Sequence, residues 1–525
     1  MPVTPTYPGL YVEEVPSGVH PIVGAATADT AFVDYFARGP VNTPTRVTSF
    51  ADFERVFGGL NAASEGSYAV LQYYLNGGQN AWIVRIDHGD PATATVTLAG
   101  GSPPSDVLEI SASSPGLWGN ALRVAVTQTV PPEAGRFNLF VQETRVDAGV
   151  LAVVATESHL GLTMDQTDPS YVATAVNSAS SLIRVTDATG LVPPTLVAPT
   201  ASGDAPASAY VDLDDGDEGD ALETDGDLST TDLADALEDG WATLDRIDPF
   251  IFNLLCVPAI ALLAEANQGA AIGAAETFCE QRRAFLIVDP PRLSNASAAL
   301  EWLSDVGRIP SANAAVYFPR VLVTDPLNGG RQREIGASGT IAGIYARTDA
   351  ARGVWKAPAG IDATVRAATP AGSVNDADSG VLNPQGVNAL RTFAVFGPVV
   401  WGARTLLGAD QRASQWKYVP VRRTALYIEN SLVAGLQWVV FEPNDEPLWA
   451  QIRLNVGAFM QGLFLQGAFQ GTTPREAYLV KCDRTTTTQL DIDRGVVNIL
   501  VGFAPLKPAE FVVIRIQQLA GQAQA

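Results

Sequence analysis

Lysine is nearly missing from this chain: Lys356, Lys417, Lys481 and Lys507 are the only four in 525 residues, leaving 29 of the 33 basic residues as arginine. Acidic residues outnumber basic ones 56 to 33, for a net charge of −23. That balance argues against a duplex-DNA binder, whose affinity comes largely from neutralising phosphates, and no local basic patch offsets it. Histidine is almost as scarce. His20, His88 and His159 are scattered and form neither HExxH nor a His/Cys ligand set. His88 follows a strand end, where catalytic residues can sit, yet a solvated turn residue is the plainer reading. Cys256, Cys279 and Cys482 are odd in number, far apart and without a CxxC pair. They make no disulfide framework and suit a reducing cytoplasm.

Long apolar runs are missing as well. The longest, Phe250 to Ala264, has about 15 residues with Asn253 and Pro258 inside it, short of the roughly 20 that a spanning helix needs. The opening MPVTPTYPGLYVEEV has neither a basic region nor an apolar core of the signal-peptide kind. The expectation is therefore assembly inside a cell, without membrane insertion. No GxxxxGK[ST] loop, no GxGxxG after a strand and no GxSxG elbow occurs. The reading is of a non-enzyme without cofactor or metal. A hydrolase-like α/β enzyme built on paired carboxylates stays open as an alternative.

What is present is a large capacity for burial. The chain is 47% apolar and 17% charged, which excludes disorder, and its length suggests three or four domains. Residues 1–20 read as an extended amino-terminal arm. Five prolines among the first 21 residues exclude a helix, while Tyr7, Leu10, Tyr11, Val12 and Val15 favour a strand. Residues 21–89 turn α/β: TAFVDYFA as strand, FADFERVFGG as a helix capped by Ser49, SYAVLQYYLNGG as a second helix, AWIVRI as strand.

Residues 90–239 read as a β-rich surface insertion, with ATATVTLAG, ALRVAVTQTV, FNLFVQE and GVLAVVA as its strands. It ends in an acidic loop. Asp204 to Asp239 holds 14 Asp and Glu and no Lys or Arg, so most of the excess charge lies in one place. Clustered carboxylates there suggest calcium and, as a second alternative, an acidic calcium-dependent surface-binding protein. Against the DxDxDG loop the spacing fails, because Gly216 stands where the fifth-position ligand belongs. A solvated, self-repelling loop is the plainer reading.

From 240 to 400 the α/β alternation resumes through IFNLLCVP, AFLIVDPP and AAVYFPRVLV as strands, with helices between them. Residues 401–509 hold a helix at TALYIENSLVAGLQ, a strand at WVVFEP and a long helix from about Glu446 to Gln470 capped by Asn444 or Asp445. On that helix Trp449, Ile452, Val456, Phe459 and Leu463 make a core-facing apolar stripe, and Gln451, Asn455, Gln461 and Gln466 a polar face. AYLVKCD, VVNILVGFAP and FVVIRIQQ close the chain as strands, the last within a 510–525 arm that holds Phe511, Val513 and Arg515. The fold class is mixed α/β (α+β), multidomain, with an inserted β-rich unit.

The opening PTYPGLYVEEVPSG, the runs ADFERVFGG…YYLNGGQNAWIVRI and IAGIYARTDAARGVWKAPAG, then LNPQGVNALR, VWGARTL, WKYVPVRRTALYIENSLVAGLQWVVFEPNDEPLW and VVNILVGFAPLKPAEFVVIRIQQ resemble the tail-sheath proteins of contractile phage tails and contractile injection systems. The resemblance covers residues 1–90 and about 240–525; within the insertion only SSPGLWGNALRV carries it. It implies a sheath-protein fold, in a subunit that polymerises as helical rings around an inner tube and contracts from a metastable state. It implies as partners further copies of itself, an inner tube protein, and baseplate and terminator or cap proteins, with no nucleic acid. It also implies arms that add strands to neighbouring copies, through Tyr7, Leu10, Tyr11, Val12, Glu13 and Val15 at one end and Phe511, Val513 and Arg515 at the other. For the tube it points to the carboxyl-terminal region, where only the polar face of the Glu446–Gln470 helix is free to meet it. The particle carrying it would be a phage tail or a released or anchored injection device.

Overall fold

The structure, a computed structural model, describes residues 20–86, 91–147, 149–219, 230–247, 252–306 and 310–515. Strand β1 (Thr30–Tyr35) is buried at every position, and β2 (Thr45–Val47) follows it. Helix α1 (Phe50–Phe57) starts where the Ser49 hydroxyl accepts the Asp52 amide, and α2 (Glu65–Asn76) starts on Ser64 in the same way. β3 (Ala81–Ile86) then returns beside β1 in parallel.

The insertion contains β4 (Thr95–Gly100), β5 (Ser105–Ala112), β6 (Leu122–Gln128), β7 (Arg136–Asp147), β8 (Val150–Thr163), α3 (Val172–Ala179), β9 (Ile183–Ala188) and β10 (Val211–Asp212). They form two antiparallel sheets, ordered β4-β5-β9 and β10-β6-β7-β8. Ile110, Val124, Phe137, Leu139 and Val141 give this unit its own core. It is bolted to the first sheet by arginine: Arg38 pairs with Glu143 at 3.0 Å, and the fully buried Arg85 donates to the carbonyls of Gly39 and Pro115.

Helix α4 (Thr230–Ala242) corrects the sequence reading, which ran the insertion and its acidic loop through residue 239. Leu233, Leu237 and Trp241 of α4 bury against Val33 and Val84 of the first sheet. Asp235, Glu238 and Asp239 stay exposed on the other side of the helix, so composition hid its apolar stripe. The core then continues through β11 (Leu254–Cys256), α5 (Glu265–Arg282), β12 (Phe285–Val288), α6 (Ala296–Asp305) and β13 (Ala314–Phe318). Next come β14 (Val321–Asp325), β15 (Arg331–Ile335), α7 (Ser338–Arg352), β16 (Ala368–Pro370), α8 (Asp376–Leu382), β17 (Val387–Phe393) and β18 (Gly397–Val400).

The central sheet is ordered β18-β17-β13-β12-β11-β1-β3-β2, with β18 and β2 antiparallel at its edges and the rest parallel. Alternate residues face opposite layers. Ala31, Val33, Leu286 and Val316 face the α4–α5–α6 side, and Phe32, Phe285, Ile287 and Tyr317 the α2–α7 side. Burial on both faces is why these strands read as continuous apolar runs rather than alternating ones. AAVYFPRVLV is not one strand. Pro319, which has no N–H to give a ladder, separates β13 in the large sheet from β14 in a small β15-β14-β16 sheet.

The carboxyl-terminal part holds α9 (Val419–Gly435), α10 (Glu446–Leu465), α11 (Pro474–Ala477), β19 (Tyr478–Lys481), α12 (Gln489–Asp493) and β20 (Leu500–Phe503). WVVFEP forms no strand: Gln437–Val439 is a 3-10 turn, and Phe441 takes a φ of 70° to bring the chain round into α10. Asp445 caps α10, whose end comes at Leu465, ahead of a left-handed Gly467. The stripe residues Trp449, Ile452, Val456 and Leu463 are core, as the spacing requires.

Candidate inter-subunit site at the roots of the two chain ends

The carboxyl-terminal segment is fixed at Glu510. Arg404, whose side chain is fully buried, donates Nε and Nη2 to the Glu510 carboxylate at 2.8 and 2.6 Å. Its Nη1 donates to the Asn383 carbonyl at 2.8 Å and to Asp410 at 3.0 Å. The Tyr418 hydroxyl donates to Glu510 at 3.1 Å, and Lys417 bonds Asp410 at 2.7 Å. A planar guanidinium suits this bidentate grip. Burial by itself raises the Glu510 carboxyl, but the Arg404 hydrogen bonds and charge outweigh it, and the group lies below its ordinary range.

Directly beyond this anchor the chain is bare. Phe511, Val512, Val513 and Ile514 are 74 to 82% exposed, and Arg515 is exposed too. Among the described residues none of these five belongs to a strand; the rest of FVVIRIQQ, residues 516–518, lies outside the described residues. Four adjacent apolar side chains in water are costly. Burying each is worth roughly 1.5–3 kcal/mol.

Nearby, β19 and β20 pair only with each other among the described residues, and Leu479 and Leu500 are half exposed. A two-stranded ribbon is marginal alone and leaves edges open to a further strand.

The amino-terminal segment is anchored on the other end of α9. His20 stacks on Trp438 at 4.4 Å, Ile22 lies against Gly435, Gly24 against Tyr427, and the Ala25 amide donates to the Ser431 hydroxyl at 2.9 Å. Arg423 then donates to the Thr27 carbonyl at 2.8 Å. Residues 20–27 thus run antiparallel along the helix as a strap. Tyr7, Leu10, Tyr11, Val12, Glu13 and Val15 lie outside the described residues, so their role as an arm stays an expectation.

The polar face of α10 is only partly as expected. Gln451 and Gln466 are exposed, but Gln461 is half-buried and its carbonyl oxygen accepts the Tyr478 hydroxyl. Asn455 is a correction: it is buried, and neither its oxygen nor its nitrogen has a partner among the described residues. Folding of the C-terminal layers over α10 covers a position that helical spacing alone leaves outside.

A cavity of about 960 Å³ opens beside the carboxyl-terminal root, between Trp355, Trp401, Tyr418, Gln466 and Leu506–Phe511. Among the described residues no group of three His, Cys, Asp or Glu could hold a metal ion, and no helix is long and apolar enough to cross a membrane. The Arg404–Glu510 anchor and the strap on α9 were not foreseen. Arg404 lay within the VWGARTL motif, and Glu510 was a lone acid in a mildly basic stretch, but pairing across 106 residues leaves no local signal.

Residues 411–518 match the family described as phage tail sheath C-terminal domain. Similarity to tail sheath proteins extends further. A putative prophage major tail sheath protein of Pseudomonas aeruginosa (strain UCBPP-PA14) is 27% identical over 248 residues, covering 46% of this chain; the chain spans only 60% of that relative's length. Over 98% of both chains the fold matches a solved PVC sheath, from an extracellular contractile injection system in its contracted state (TM-score 0.58, 21% identity). A sheath tail protein from Listeria innocua matches over 93% of this chain and 96% of its own (TM-score 0.60, 12% identity). The insertion, where the sequence resemblance was thin, therefore lies within the sheath-protein fold.

Proposed function

We propose that the chain is the structural subunit of a contractile sheath, stacking as helical rings around an inner tube and contracting to drive that tube through an envelope. The observation that carries this is the bare Phe511–Ile514 run, rooted in a buried ion pair, on a fold whose solved counterparts are sheath subunits. Such a segment is made to be buried by something other than its own copy. Strand addition to an open edge fits it, main-chain hydrogen bonds giving strength and alternate side chains register. Phe511, Val513 and Arg515 would serve one end, and Tyr7, Leu10, Tyr11, Val12, Glu13 and Val15 the other. Its partners on this reading are further copies, an inner tube protein met by exposed Gln451 and Gln466, and baseplate and cap proteins, with assembly in the cytoplasm.

No nucleotide or cofactor is called for, and the subunit has no catalytic role. Were contraction to bury a further ~500 Å² of apolar surface per copy, it would release on the order of 10 kcal/mol at about 25 cal/mol per Å². Summed along a sheath, stored packing energy drives the stroke, provided two discrete packings exist. The test is deletion of residues 1–15. The expected product is a folded, soluble monomer that forms no tubes by electron microscopy; normal tubes would refute the arm mechanism.

A further inference from the structure

The hairpin of β7 and β8 is longer than the unit that carries it. The core of the insertion reaches Val141 and Ala155 and goes no further along the two strands. Past it, Val146, Val150, Leu151, Val153 and Val154 are 48 to 68% exposed. Val146 stands opposite Leu151 and Thr144 opposite Val153, so these four share one face of the ribbon. From Gly149 to Thr156 the sequence GVLAVVAT holds no charge, no proline and no aromatic ring. β8 is also a sheet edge. Its second half is covered: the Glu157 carboxylate accepts the Ser181 amide and the Ser180 and Ser181 hydroxyls, and Thr163 bridges Tyr171. Its first half meets no third strand among the described residues. Exposed edges are ordinarily guarded by lysine, proline or inward-pointing charge, and this stretch has none of these.

We infer that β8 is a self-association edge: it pairs antiparallel with β8 of a second copy, Val150 opposite Val153 and Leu151 opposite Ala152, about a two-fold axis. This register sits ahead of Val154, the extra residue at which the β7–β8 ladder slips by one and the strand bends. An uncharged aliphatic stretch matches itself, because nothing in it opposes a like charge in its twin. The other edges of the insertion are taken. Asn177 bonds both the amide and the carbonyl of Val185 on β9, Thr95 and Ala99 of β4 bond Asp214 and Thr195, and β10 is two residues long. The open edge that this unit offers on a second copy is β8 itself. A bilayer fits less well, since the run lacks the Trp and Tyr that anchor at a membrane surface. A two-fold pairing closes on itself and cannot propagate along a polar helix. It joins free chains in solution and stands apart from the arm reading. Four paired residues and their side chains stay below the roughly 1,000 Å² of a stable interface, so the pair is half formed near ~50 µM and largely apart at ~1 µM.

The test is sedimentation velocity of the full-length chain over about 1 to 200 µM, where tubes pellet ahead of the monomer and dimer boundaries. The parent is expected to pass from monomer to dimer, and the amides of residues 150–153 to exchange at least several-fold more slowly at the top of the series. Val150→Lys/Val153→Lys and, separately, Val150→Glu/Val153→Glu each weaken the dimer at least ten-fold. Their melting temperatures stay within a degree or two of the parent, because both positions face water. Mixed one to one, the two variants dimerise again at parental strength or better, since each Lys then meets a Glu. Sodium chloride at 1 M leaves the parental dimer intact or strengthens it by screening two acidic chains from each other. A parent that stays monomeric throughout overturns the inference, as does a double variant that dimerises like the parent, or a mixture without rescue. So does loss of the dimer in 1 M salt, or binding to phosphatidylcholine vesicles that the Val150→Glu/Val153→Glu chain lacks, which would assign the ribbon to a bilayer. Deleting residues 1–15 leaves the dimer unchanged; if that deletion abolishes it, the contact runs through the arms and the β8 assignment falls.

Discussion

Asn455 shows how a single residue can work against its surroundings. It is 2% exposed on α10, and both ends of its amide are without partners among the described residues. A buried polar group left unpaired costs roughly 1–3 kcal/mol. Asn455→Leu is therefore expected to raise monomer stability by about 1–2 kcal/mol, read as a higher urea midpoint at unchanged slope. Two fully buried carboxyls act in the same direction. Burial, foremost, raises Asp34 to about 7 and Asp289 to about 6. Each is neutral in the fold at pH 5, where the unfolded chain is ionised. Their contribution is thus complete below about pH 4, lost as pH rises through 6 and 7, and flat beyond. Thermal melts from pH 4 to 8 should fall across that window. Asp289→Asn, which leaves an oxygen to accept the Ser338 amide, should flatten the part below pH 6. Neither effect was legible in the sequence, because helical spacing cannot say what packs over Asn455 and no motif announces a buried aspartate.

Among the elements, those with their own caps and apolar period were readable. Ser49 and Gly77 mark helix ends where expected, and β1, β3 and β12 read as buried runs. Elements decided by distant packing were not. WVVFEP opens with four strand-favouring residues, yet the reversal between α9 and α10 turns it into a loop with Trp438 under His20. α4 hides three core side chains among acids. The strap is a third case. At Gly24 a Cβ would clash with the Tyr427 hydroxyl, so Gly24→Val should lift residues 20–27 from α9. Limited proteolysis would then cut within that stretch at least several-fold faster than in the parent, while the central sheet keeps its slow hydrogen exchange.

For the whole molecule, the α/β class and the sheath likeness were visible because many motifs recur in order, whereas the two roots join residues far apart. Removing residues 511–525 and keeping Glu510 should leave the melting temperature within a degree or two. Tube formation should be abolished, as scored by electron microscopy. A large drop in melting temperature would mean that the segment stabilises its own copy.

Ionic strength separates the carboxyl-terminal root from the rest of the surface. Salt at 1 M largely screens exposed charges farther apart than a Debye length of about 3 Å, but the Arg404 side chain has no exposed surface for ions to reach. On the sheath reading proposed above, molar salt applied to assembled tubes should thus loosen contacts between ring faces first. What remains would be strings of copies still moored end to end, seen as beaded threads before any free monomer.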